Sequence, residues 1–323
     1  MKLYAPKYYK DFVCIADRCG HSCCIGWEID IDGVTMEKYK LLGGGCGYGS
    51  GIITSVEGGG IEKGVEGGDA PRFKLCEGDR CPHLNEKGLC RIILELGEGY
   101  LCDICREHPR FYNDNLRGRE VGIGIACEEA ARLVLTSDDY TEMIEIGEDD
   151  EVGICKGCGG EACSDFFDAV AERELVYAIL SDKTLPYGDR LDRISQKYGV
   201  SPEILDGDGW RELFSSLEYL DEEHRADFAV FSLSPRVNSE IEVCLERALA
   251  YFIFRHCGEA EDLDDFASSL GLCLVLERLL ASLAEKYGAQ NAADLIIPAR
   301  VVSEELEYSE ENTESIKFEF AFG

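Results

Sequence analysis

The chain has 323 residues, with 64 acidic against 32 basic side chains and a formal net charge of −32. That length can bury a large core and suggests two domains or one large one. So acidic a surface disfavours nucleic acid and anionic lipid as partners and suits a basic or lysine-bearing one.

The first ten residues, MKLYAPKYYK, contain no apolar h-region, so no secretory signal is expected. The longest apolar stretch, 270–284, is interrupted by Glu277 and Arg278, which argues against a membrane-spanning helix. A cytoplasmic location follows as an expectation. Thiols stay reduced there, so the 17 cysteines read as metal ligands or core thiols and not as a disulfide framework.

In chain order, short helices are expected at 35–42 and 128–136, among loops tied by cysteine. Segment 43–69 is Gly-rich and reads as a loop or insertion. Segment 147–164, GEDDEVGICKGCGGEACS, is a Gly/acidic linker. Apolar residues then recur near a 3.6-residue period over 165–182, 189–198, 210–220, 241–256 and 263–287, which predicts helices. Gly199 stops the second of them. Pro298 is expected to open a less regular tail, and the final KFEFAFG alternates like a short strand. The expected fold is mainly α, with an irregular, metal-stabilised Cys-rich half over 1–146 and a helical half over 165–323.

Cysteine is concentrated in three groups. The first is Cys14, Cys19, Cys23 and Cys24, followed by Trp27. The second is Cys81-Pro82-His83 with Cys90 beyond an Asn85–Gly88 turn. The third is Cys102-x2-Cys105 followed by Pro109 and Arg110, with Cys127 ahead of a helix. Four thiolates close a tetrahedral zinc site or hold a four-iron cluster. Adjacent Cys23 and Cys24 diverge too much to share one zinc, and no pair of Cys-x2-Cys knuckles forms a zinc ribbon, so iron–sulfur is favoured. Cys46, Cys76 and Cys102 fit a core thiol as well as a ligand. Cys155, Cys158 and Cys163 fit chance composition as well as a second metal. Cys244, Cys257 and Cys273 read as core thiols. The Gly45–Gly51 run lacks the strand and helix that a dinucleotide-type glycine loop needs.

The stretches FVCIADRCGHSCCIGWEIDID, CPHLNEKGLCRIILELGEGYLCDICREHPRFY, ACEEAARLVL and IIPARVVSEELEYSEEN resemble the flagellin lysine-N-methylase (FliB-like) family. The resemblance covers most of the chain and weakens over 43–75 and 147–164. It implies S-adenosylmethionine-dependent methylation of flagellin lysines and a 4Fe-4S cluster. Its cysteine pattern maps onto Cys14, Cys19, Cys23, Cys24, Cys81, Cys90, Cys105 and Cys127, without saying which four ligate.

Methyl transfer to lysine needs a neutral amine, a proton acceptor and a wall that tolerates a sulfonium. Glu307 and Tyr308 are the expected catalytic pair. Arg110, Trp27 and Asn312 are the expected donor-binding residues. A solvated acidic turn, an ion pair and a core tryptophan are the plainer alternatives for these positions. His21, His83 and His108 are placed around the cysteines and not among the ligands. Two other functions fit the same residues: a non-catalytic iron or zinc chelator, and a redox protein.

Overall fold

The computed structural model describes residues 1–43, 65–66, 71–148 and 167–321. Most of the expected glycine-rich insertion and linker, with Cys46, Cys155, Cys158 and Cys163, lies outside the described residues. In chain order the elements begin with β1 (Lys2–Pro6), α1 (Gly33–Gly43), β2 (Val65–Glu66), β3 (Arg72–Phe73), α2 (Arg91–Leu96) and α3 (Asp103–Glu107). Then come β4 (Arg110–Asn115), β5 (Gly118–Ile123), α4 (Glu128–Thr136), β6 (Met143–Glu148), α5 (Ala169–Leu180) and α6 (Tyr187–Tyr198). The remainder is helical: α7 (Gly207–Ser216), α8 (Glu222–Phe228), α9 (Ser239–Cys257), α10 (Leu263–Tyr287), α11 (Ala292–Val302), a π-helical turn (Ser303–Glu307) and α12 (Glu310–Ala321). Helix predominates, as expected; the small sheet was not foreseen.

The chain divides into two units, Cys14–His108 and Met1–Val13 with Pro109–Gly323. The division falls at His108/Pro109 and not in the 147–164 segment. Sheet pairing explains this: β1 pairs parallel with β5 and antiparallel with β6, so the N-terminal strand and residues 109–148 join the helical half.

In the larger unit the sheet order is β4-β5-β1-β6. The β4–β5 hairpin closes at Asn115 and Gly118. Gly118 has φ +145°, and a Cβ there would stand 2.6 Å from the Lys2 carbonyl oxygen, so glycine lets β1 approach. The helices start where side chains accept from free N–H groups. Asp168, Asp206, Asn238 and Asp262 do so for α5, α7, α9 and α10, and Asn291 with Asp294 forms a capping box for α11. α9 lies along α10, and α12 packs on α10. Trp210, Phe214, Phe228, Phe231, Phe252 and Phe266 fill the core at 1% exposure or less. α10 is long and apolar enough to cross a membrane by length and composition, and 89% of its most apolar stretch is buried within the protein.

Two expectations for the tail are corrected. Pro298 lies inside α11, where Leu295, Ala299 and Val302 are buried around it. The lost N–H costs a hydrogen bond, but the buried apolar face keeps the helix going. The KFEFAFG end is helical in its described part. Asn312, Ile316 and Phe320 recur every four residues and face inward, whereas Phe318 is 60% exposed. Phe320 lies over Gly271, where a Cβ would stand 2.5 Å from its ring. An alternating FEF triplet is therefore the edge of a helical stripe.

A buried ion pair ties α5 to β5. Arg173 donates to both oxygens of Glu120 at 2.7 and 2.6 Å, with side chains 2% and 6% exposed. Replacing Arg173 by Met strands the Glu120 carboxylate and should destabilise the unit by about 3–5 kcal/mol in a denaturant titration. The double change with Glu120→Leu should recover most of that loss. A single variant as stable as the parent would remove the pair from the account of this unit.

Candidate functional site

The Cys14–His108 unit has a small core. Ile29, Ile31, Tyr39, Phe73, Leu84, Ile92 and Leu101 form it together with Cys81 and Cys102, and Cys24, Cys90 and Cys105 pack against it. Short local devices deliver these thiols. The Cys81 N–H donates to the Cys24 carbonyl at 2.8 Å, setting those two segments side by side. The Asn85–Gly88 turn folds Cys90 back: Leu84 bridges Cys90, and the Asn85 Oδ1 accepts from the Lys87 and Leu89 N–H groups at 2.8 and 3.0 Å. Asp32 pins two helix starts at once, accepting from the Thr35 N–H at 2.8 Å and the Asp103 N–H at 3.0 Å. The second bond fixes the Cys102–Cys105 segment, whose Sγ atoms stand 3.4 Å apart.

The five thiols act on one another electrostatically. Burial pushes Cys81 up to about 12, and Cys24, Cys90 and Cys102 push it the same way. Cys90 is raised by burial, with Cys24 and Cys102 adding to it. Cys24 is drawn down to about 7, first by a hydrogen bond from Cys23, with help from Ser22 and the Arg80 cation. Within the close pair, the Cys105 hydrogen bond lowers Cys102 and the same contact raises Cys105. Thiolates gathered this way repel, and a bound cation relieves that repulsion.

The donor set suits a soft or borderline metal such as zinc or iron. The same core holds an orphaned polar group. His83 is 2% exposed, edge-on to Phe73 at 4.8 Å, with neither ring nitrogen hydrogen-bonded, and burial lowers it to about 4. Among the described residues, no three His, Cys, Asp or Glu side chains already stand at the spacing that grips one ion.

The structure gathers only part of the expected eight cysteines. Cys24, Cys81, Cys90 and Cys105 come together. Cys14 and Cys23 are exposed and Cys19 is half-buried, outside that packed core. Cys127 belongs to the other unit, at the N-terminus of α4. Cys102 joins the set although the eight omit it; its signal was the Cys-x2-Cys spacing with Cys105. Trp27 is half-buried in the Cys14–His108 unit. Arg110 lies in the larger unit, donating from Nε to the Tyr9 hydroxyl at 2.9 Å, with its guanidinium near the Tyr9 and Phe12 rings. Asn312 is engaged as a clamp. Its amide donates to the Glu218 and Glu305 carbonyls at 2.7 and 2.8 Å, and its oxygen accepts from the Glu218 N–H at 3.2 Å.

Glu307 and Tyr308 lie together in a buried polar cluster of the larger unit. Glu307 ends the π-helical turn, a rare geometry that re-aims side chains. Its carboxylate is 2.8 Å from the His256 Nε2, 3.3 Å from the Tyr251 hydroxyl and 3.5 Å from the Arg255 Nε. The Arg255 guanidinium lies between the Phe111 and Tyr308 rings, 4.8 and 4.5 Å from their centroids. Burial alone would raise Glu307, but Arg255 and His256 hold it below its usual value. Burial also holds His256 below its usual value, against the pull of Glu307. Tyr308 is raised by burial and keeps its proton, with Arg255 opposing the rise. Arg255 and His256 were not foreseen. They are the basic last turn of α9, some 50 residues from Glu307, and only packing brings them together.

No family model matches the chain, and no solved structure does. Three relatives match over 141 residues, 43% of this chain. The flagellar biosynthetic protein FliU of Salmonella muenchen is 27% identical, and the match spans 80% of its length. The lysine-N-methylases of Salmonella choleraesuis and Salmonella typhimurium are each 26% identical, with 34% of their length matched. The likeness thus reaches about a third of each methylase and less than half of this chain.

The Glu307 cluster carries a signed pH dependence. Glu307 has a depressed folded pKa, so its stabilisation is present above 4.5, its ordinary value, and is lost as pH falls through the folded value. His256, also depressed, favours the fold while neutral, and that contribution shrinks once the unfolded chain takes up protons below 6.5. The histidine effect sets in below 6.5 and the carboxylate effect below 4.5, and both weaken the larger unit as pH falls. Glu307→Gln should be less stable at pH 7 and lack the carboxylate-linked part of the decline below pH 4.5 in denaturant midpoints. A parallel decline would show that Glu307 is not part of the titrating set.

Proposed function

We propose that this chain is a protein-lysine N-methyltransferase that takes its methyl group from S-adenosylmethionine, acts on flagellin lysines and carries a 4Fe-4S cluster on cysteines of the Cys14–His108 unit. The 141-residue likeness to two proteins named lysine-N-methylase carries this reading. The family resemblance of the cysteine stretches, the gathered thiols and the flagellar name of the third relative support it.

S-adenosylmethionine, when bound, supplies an electrophilic methyl carbon on a sulfonium. Transfer forms a C–N bond to the lysine Nζ and breaks the C–S bond, whose electron pair stays on sulfur. The lysine must first lose a proton. Glu307, held ionised by Arg255, receives it, and His256 shares it across their 2.8 Å contact. Tyr308 keeps its own proton and offers a hydroxyl and a ring face. In the other unit, four thiolates would hold the cluster. Its bonds would add to the two-residue strands, isolated bridges and side-chain hydrogen bonds that join these loops.

The test is incubation of anaerobically purified full-length protein with flagellin and S-adenosylmethionine labelled in the methyl group. Label is expected on flagellin lysines, and Glu307→Gln should slow its appearance by at least about 100-fold, the usual worth of a proton acceptor. Metal-loaded protein that places no label on lysine overturns the proposal.

A further inference from the structure

We infer that Cys102, which lies outside the eight cysteines of the family resemblance, is one of the four metal ligands, the other three coming from Cys24, Cys81, Cys90 and Cys105. The inference rests on the proposed metal cluster and deepens it by naming a thiol that holds it.

Cys102 is 1% exposed, yet its surroundings are not those of a packing thiol. Its Sγ stands 3.4 Å from that of Cys105, and the other three thiols lie in or against the same small core. Its backbone is pinned: its carbonyl accepts from the Cys105 and Arg106 N–H groups at 3.0 and 2.9 Å. Asp103 is held by Asp32 on one side, and on the other the Leu101 carbonyl accepts from the Thr35 hydroxyl at 3.5 Å. Three separate chain segments thus present their sulfurs to one region, which is how loop-rich proteins build metal sites. Cys257 and Cys273 make the contrast. They are fully buried and 4.0 Å apart, but they sit in the large apolar core on the long helices α9 and α10. Ligation by Cys102 requires only that its S–H bond break, the proton passing to solvent, while a sulfur lone pair forms the bond to iron. No oxidant or reductant enters.

The test uses the full chain reconstituted anaerobically with ferrous iron and sulfide. Its readouts are iron per protein, charge-transfer absorbance and the electron paramagnetic resonance of the reduced form. Cys102→Ser should lose iron to a chelator at least about tenfold faster than the parent, since even outer-shell changes weaken metal sites that much. If serine oxygen replaces the sulfur, the resonance should shift instead. Cys76→Ser, at an exposed thiol outside this core, should match the parent. Alkylation of the unsubstituted protein avoids any folding defect of the variant: Cys102 and Cys105 should be protected with iron and become reactive together after its removal. Parent-like iron and resonance in Cys102→Ser, or removal of iron that exposes Cys105 and leaves Cys102 unchanged, overturns the assignment. A parent that takes up no iron defeats the proposed cluster itself, a separate result read before any variant.

Discussion

The crowding of thiols in one small core is the constraint on which the Cys14–His108 unit depends. Five sulfurs occupy or border the volume that Ile, Leu and Phe fill in an ordinary core. Sulfur packs as a modest hydrophobe while protonated. Burial raises Cys81 and Cys90 and the Cys102 contact raises Cys105, and neighbouring thiols push all three the same way, so as thiolates they would repel. A cation bound among them would offset that repulsion. The unit's strands are two residues long and its helices α2 and α3 have six and five residues, too short to be stable alone.

The larger unit is built on opposite terms. Its long helices bury aromatic and aliphatic side chains, and several of its buried carboxylates are paired. Arg173 meets Glu120. Glu246 accepts from Arg190 at 2.6 Å and also contacts Lys183 and Tyr140. Glu305 accepts from the Leu220 and Asp221 N–H groups and meets His224 at 2.6 Å. Buried carboxylates of this kind are costly unless paired, and the π-helical turn and its neighbours spend several on cross-links between distant segments. Glu307 stands apart because its partners include a histidine and a tyrosine and because it adjoins Tyr308. That chemistry is why it is proposed as the proton acceptor.

Legibility in the sequence followed the range of the interactions. α10 was readable to the residue because its period is local, and α4 likewise. β1, β4 and β5 went unseen because their pairing partners lie more than 100 residues away or across a hairpin with little alternation. α12 was misread because Phe318 points outward while Phe320 packs on α10, and a triplet cannot separate period two from period four. The cysteine groups suggested a metal site by composition and spacing, and the structure gathers five thiols in one small core. Which thiols meet was not legible, since the Cys24–Cys81 contact and the Asp32 bond to Asp103 span loops. The Arg255–His256–Glu307 cluster was invisible for the same reason.

The central claim is that a metal completes the core of the Cys14–His108 unit. Hydrogen exchange on the intact chain, before and after chelation, tests it most directly. The amides of Cys81, Arg91, Gly97 and Arg106, each bonded within that unit, report on it, and those of α9 and α10 serve as the reference. The account predicts that chelation strips protection from the first group and leaves the second unchanged. Protection of the first group that is indifferent to chelation would contradict it.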